Sequence, residues 1–171
     1  MSVALTPEQS DLREAVADLL EKRSPETEVR RLMADEGGYD PALWSELAAM
    51  GLLGLVIPET FGGSGAGAAE LAVVCEQMGR ALLCAPYLST AVLSATLLLA
   101  LGDTAEQNDV LPRIAAGGLI TSVAFAEPGS ARPAEVPLTV AARNADDWRL
   151  TGTKAYVLDA AVAQRFYVHA R

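Results

Sequence analysis

Metal ligands and paired cysteines are scarce in this sequence. Of 171 residues one is histidine, His169, and two are cysteines, Cys75 and Cys84. Without a CxxC pair or clustered histidines there is no zinc or iron–sulfur spacing. Cys75 and Cys84 lie on what reads as one helical stretch, where they cannot face each other as a disulfide, so both read as small buried hydrophobes. Basic residues are also few: 13 Lys and Arg stand against 22 Asp and Glu, for a net charge of −9. That balance leaves no basic patch to displace phosphate counterions and argues against nucleic acid as a partner. The longest apolar run, Ala91 to Leu101, is about 11 residues and includes Ser94 and Thr96; a spanning helix needs roughly 20. MSVALTPEQSD has neither the basic nor the apolar part of a signal peptide, so a cytoplasmic location is expected.

What is present is enough for a folded core, with 51% hydrophobic and 20% charged residues. Thr6-Pro7-Glu8-Gln9 predicts a helix start with a capping box, followed by Leu12, Val16, Leu19 and Leu20 on one face. A short helix is predicted from Thr27 to Ala34. Asp40-Pro41 starts another, with Leu43, Trp44, Leu47 and Met50 inward and Gly51 as its stop. Helical spacing resumes from Ala68 to Leu83, then in an apolar helix from Tyr87 to Leu101, and again from Asp103 to Ala116. After Gly117-Gly118 the period falls to 2. Leu119–Ala126, Leu138–Ala142, Trp148–Thr151, Ala155–Leu158 and Phe166–His169 read as short strands.

The expected fold class is therefore α+β: an all-α helical domain over residues 1–118, followed by the first part of an antiparallel β-barrel-like domain over 119–171. The β part reads as unfinished, because its strands need closure or a covering partner.

Two stretches suggest a ligand. Gly63-Ser64-Gly65-Ala66-Gly67-Ala68 formally fits the dinucleotide fingerprint GxGxx(G/A). Pro58 to Phe61 separates it from the apolar run before it, however, and no acid-ended strand follows, which favours a plain helix-to-helix loop. In VAFAEPGSARP, residues 123–133, a strand runs into Glu127-Pro128-Gly129-Ser130, which is turn chemistry.

The segment WSELAAMGLLGLVIPETFGGSGAGAAELAVVCEQMGRAL (44–82), with LPRIAAGGLITSVAFAEPG (111–129) and WRLTGTKAYVLDAA (148–161), resembles the acyl-CoA dehydrogenase family, flavoenzymes that introduce an α,β double bond into acyl-CoA thioesters. The resemblance implies FAD as cofactor and acyl-CoA as substrate. It also implies an electron-transfer flavoprotein as acceptor and a homo- or hetero-oligomer as the assembly. It assigns Phe125, Ala126, Glu127, Ser130 and Arg132 to a strand end and loop along the flavin and its pyrophosphate. Tyr156, Val157 and Leu158 would be a second strand against the flavin ring, with the Tyr156 aromatic covering a face. Tyr87, Leu88, Ser89 and Thr90 open the helix that borders the acyl pocket in relatives, and read as either core or pocket wall; Tyr87, Leu88 and Thr90 are the candidate substrate residues. Trp44 reads as core, Trp148 as a strand packing residue, and Arg80 and Lys154 as surface charges.

The chain departs from the family pattern at informative places. Ala126 stands where a threonine is usual, Ala131-Arg132-Pro133 where Gly-Ser-Asp is usual, and Leu158 where a hydroxyl residue is usual. Two lost hydroxyl bonds at roughly 0.5–1.5 kcal/mol each would weaken FAD by about one to two powers of ten. The family's catalytic glutamate belongs to a C-terminal helical domain that residues 1–171 do not match. Glu59, Glu70 and Glu76 do not correspond to it, so no catalytic residue is assigned. Two readings stay open: part of a catalytic, FAD-dependent subunit, or a non-catalytic partner in a heteromeric, steroid-type enzyme.

Overall fold

Helix α1 (Pro7–Arg23) starts where the capping box sets it: Thr6 Oγ1 accepts from the Gln9 N–H at 3.2 Å, and Gln9 Oε1 accepts from the Thr6 N–H at 3.1 Å. The computed structural model describes residues 4–129, 132, 135–145 and 147–171. Next come α2 (Glu26–Met33) and α3 (Pro41–Ala49), the latter capped by the Asp40 carboxylate on the Ala42 N–H and followed by Gly51 in the left-handed region. Short 3₁₀ turns at Leu52–Gly54 and Glu59–Phe61 lead to α4 (Ala68–Arg80).

Helix α4 ends at Arg80, three residues short of the sequence reading, and Leu82 adopts a φ of 49°. Cys75 and Cys84 therefore do not share a helix. Neither is fully buried: Cys75 is exposed and Cys84 half-buried, which corrects the reading of both as core. The apolar helix is continuous from Tyr87 to Leu101, but its first half, Leu88–Ser94, is π-wound before α5 (Ala95–Leu101). Local hydroxyls suit that winding. Ser94 Oγ donates to the Ser89 carbonyl, five residues back, at 2.8 Å. Helix α6 (Thr104–Ala115) completes the helical part.

Two apolar clusters hold these helices. Val16 and Leu20 of α1 meet Val74 and Met78 of α4, joined by Leu43 and Leu47 of α3. A second cluster joins Leu98 of α5 to Val110, Leu111 and Ile114 of α6 over Ile57. Each such buried side chain contributes about 1.5–3 kcal/mol relative to exposure. Trp44 is core, as expected, and its indole N–H donates to the Gly117 carbonyl at 3.0 Å, tying α3 to the end of α6. Among the described residues no helix is long and apolar enough to cross a membrane.

The strands are β1 (Thr121–Ala124), β2 (Val140–Asn144), β3 (Asp147–Thr151) and β4 (Arg165–Val168). β2 and β3 pair antiparallel, Val140 opposite Thr151. β1 and β4 pair parallel, Thr121 opposite Arg165, so the expectation of antiparallel strands fails there. The reason is that β2, β3 and the loop after them intervene as a crossover, returning the chain in the direction it left. Ala155–Leu158 is not a strand but an irregular loop. Trp148, expected to pack, is 65% exposed.

Candidate cofactor site

The glycine loop at 63–68 carries no phosphate cradle. Its backbone donors are spent on the chain itself: Ser64 N–H on the Gly54 carbonyl, Gly65 N–H on Ile57 and Ala66 N–H on Leu55, at 2.8–2.9 Å. A Cβ at Gly63 would lie 2.0 Å from the Ile57 carbonyl oxygen, so glycine is required here by close packing. The apolar run before it forms a 3₁₀ turn rather than a strand, which removes the Rossmann reading.

The second stretch is tied to a distant loop. At the end of β1, Ala126 is buried and its carbonyl accepts from the Ala155 N–H at 3.0 Å. That bond sets the loop 153–158 beside residues 125–127. A buried ion pair reinforces it, Lys154 Nζ lying 2.9 Å from Glu127 Oε1 with both side chains under a tenth exposed. Lys154 Nζ also reaches the Phe125 carbonyl at 3.4 Å. This corrects the reading of Lys154 as a surface charge. The remaining capacity of Glu127 is filled by the Leu138 N–H, the Thr139 N–H and the Thr139 hydroxyl, at 2.8–2.9 Å. Those partners, the Leu138 N–H foremost and then Lys154 and the Thr139 N–H, hold its pKa down at about 2. Glu127 is thus a tie for the loop, and its carboxylate is fully engaged within the chain. Gly152 lets this knot close, since a Cβ there would stand 2.6 Å from Thr139 Oγ1.

Beyond Lys154 the loop turns outward. Tyr156 has a φ of 53°, unusual for a non-glycine residue, and its side chain is 68% exposed. Leu158 is also exposed and Val157 half-buried. The N–H groups of Tyr156, Val157 and Leu158 take no partner among the described residues. An exposed aromatic face beside unspent backbone donors suits a planar heteroaromatic ring with polar edges, so the residues present fit a flavin. Phe125 is half-buried and turns to an apolar cleft of about 480 Å³ shared with Leu97, Leu101 and Tyr167. Arg132 is exposed, and Ser130 lies outside the described residues.

The three candidate substrate residues separate. Tyr87 is buried, and its hydroxyl donates to the Leu52 carbonyl at 3.0 Å; burial pushes its pKa up. Thr90 is fully buried, its hydroxyl donating to the Thr121 carbonyl and accepting from the Thr121 N–H. Both hydroxyls are committed to the core. Leu88 is half exposed and borders a cleft of about 380 Å³ with Met78, Leu82 and Leu83, for which the Tyr87 ring is part of the wall. Sequence patterns do not single out Asp159, or Ser122, whose hydroxyl donates to the Leu158 carbonyl at 2.6 Å.

Residues 6–118 match the family described as acyl-CoA dehydrogenase, N-terminal domain. Among curated proteins the chain is similar to acyl-CoA dehydrogenase IpdE2 of Mycolicibacterium smegmatis, at 43% identity over 122 residues, 71% of this chain and 38% of that protein. Among solved structures it resembles the ChsE4-ChsE5 complex from Mycobacterium tuberculosis, at 30% identity and a TM-score of 0.86, covering 100% of this chain and 46% of that one. It also resembles a variant of the Tcur3481-Tcur3483 steroid ACAD, at 35% identity and a TM-score of 0.83, covering 95% of this chain and 44% of that one. The chain spans less than half the length of each of these proteins.

Proposed function

Because the chain belongs to the acyl-CoA dehydrogenase family, we propose that residues 125–127 and 156–158 seat FAD in a subunit that dehydrogenates acyl-CoA thioesters. The observation that carries this is the Ala155 N–H to Ala126 carbonyl bond, which sets the exposed Tyr156 face and the N–H groups of 156–158, without partners among the described residues, beside the end of β1. Bound there, FAD supplies the acceptor for the β-hydride of the thioester. The chain's own residues bind and orient: Tyr156 covers a ring face, the 156–158 backbone offers N–H groups to the ring edge, and the Glu127–Lys154 knot keeps the loop in register. By the resemblance, the exposed Arg132 would supply a cation for the pyrophosphate. Leu88 and its cleft would form part of the acyl wall. An electron-transfer flavoprotein is the proposed acceptor.

The division into a helical unit, 1–118, and a β unit, 119–171, that closes into a barrel-like domain belongs to the same proposal, supported by the switch from helices to strands after Ala115. A second reading has a specific observation behind it. Ala126 and Leu158 offer no side-chain hydroxyl where the family usually has one, and two of the similar structures are named as two-component assemblies. In that reading the subunit shares or completes a partner's site in a heteromeric, steroid-type enzyme.

Tyr156→Ala in the full-length protein tests the seat. Losing the ring contact should weaken FAD by about tenfold, read by flavin titration, while the melting temperature holds because the side chain is exposed. Unchanged FAD affinity would remove Tyr156 from the site.

A further inference from the structure

The loop after Tyr156 is fastened by side chains that lie far from it in sequence. Ser89, fully buried on the π-wound segment, has its Oγ 2.5 Å from Asp159 Oδ2 and 3.2 Å from the Pro86 carbonyl. A hydroxyl has one proton, and the shorter, charge-assisted contact takes it. Asp159 has a φ of 52°, a backbone region that aspartate tolerates better than most residues but that still needs holding. Its own carbonyl accepts from the Val162 and Ala163 N–H groups at 3.1 and 3.0 Å. Next to it, the Ser122 hydroxyl holds the Leu158 carbonyl, and Gln164 exchanges hydrogen bonds with Ile120 through its N–H and its Oε1.

Loop 155–164 is thus fastened at Ala155 on one side and at Leu158, Asp159 and Gln164 on the other, leaving Tyr156 displayed between the fastenings. Two of the fastening groups, Ser89 and Ser122, are buried polar side chains that reach out of the helix and out of β1. Ser89 also follows Leu88, the one candidate substrate residue that is exposed. A shift of the π-wound segment would therefore act on Leu88 and on the anchor of the loop together.

We infer that the Ser89–Asp159 hydrogen bond is a positioning link that couples the segment bordering the acyl cleft to the loop presenting Tyr156. This rests on the proposed cofactor seat for its functional meaning, while the link itself stands on geometry. Ser89 and Asp159 act through the loop and are positioning residues.

The test uses the full-length protein with Ser89→Ala, Asp159→Gly and Asp159→Asn. Glycine suits the φ of 52° while removing the carboxylate, and asparagine keeps an acceptor for the Ser89 hydroxyl. Amide hydrogen exchange at Val162 and Ala163, measured without FAD, should quicken by about tenfold in Ser89→Ala and Asp159→Gly and return toward wild type in Asp159→Asn. FAD affinity should fall by a similar factor in the first two and recover in the third, with the melting temperature nearly constant. Unchanged exchange in both Ser89→Ala and Asp159→Gly overturns the link, and quickened exchange with unchanged FAD affinity overturns its positioning role. Quickened exchange in a protein that takes up no FAD even as wild type supports the link and sinks the cofactor reading alone.

Discussion

Glu127 shows how far a single residue can be read. Its place in Glu127-Pro128-Gly129 marks it as part of a turn, where the resemblance implies a cofactor, but its partner Lys154 lies 27 positions away. A lone lysine in a polar stretch defaults to the surface, and only the fold makes the pair buried. The pair has a pH signature. The Glu127 pKa is depressed to about 2 from an ordinary 4.5, so its stabilisation is complete above about pH 4.5 and is lost as pH falls through about 2. Thermal melts between those limits should fall less steeply for Glu127→Gln than for wild type, although the variant starts lower at neutral pH. Parallel melting curves would mean that the carboxylate is not held by these partners. Tyr156 is the opposite case. Alternation made it a strand residue, whereas its positive φ follows from fastenings on both sides that lie far off in sequence and leave no local mark.

At the level of elements, the helices were the readable part, since caps and stops are local chemistry. Thr6 with Gln9, Asp40 with Pro41, and Gly51 all act where the sequence puts them. Thr6→Ala should cost about 1 kcal/mol, seen as a lower denaturant midpoint with an unchanged slope; no change would mean that α1 frays there regardless. The π-winding of Leu88–Ser94 is not readable from apolar spacing, because it depends on where Ser94 and Thr90 find acceptors, one of them on β1. The β2–β3 hairpin follows from alternation around Asn144-Ala145-Asp146-Asp147. The parallel β1–β4 pairing does not, because strand direction across a crossover is decided by the return path and not by the residues of either strand.

At the scale of the whole molecule, the two apolar clusters of the helical part take in Leu119 and Ile120 just before β1 and are packed by Val162 and Ala163 of the later loop, and the candidate site lies where helix, strand and loop are tied together. The family was legible from three stretches in order, while the seat needed the contacts among Ala126, Ala155, Lys154 and Glu127, none of which is local. The absorbance spectrum of the natively purified full-length protein, alone and co-expressed with a candidate partner subunit, tests the central claim most directly. The account predicts flavin absorbance travelling with the protein, from the subunit alone if the loss of hydroxyls at Ala126 and Leu158 is tolerated, or from the complex if the site is shared. Colourless protein in both preparations that also fails to bind added FAD would contradict it.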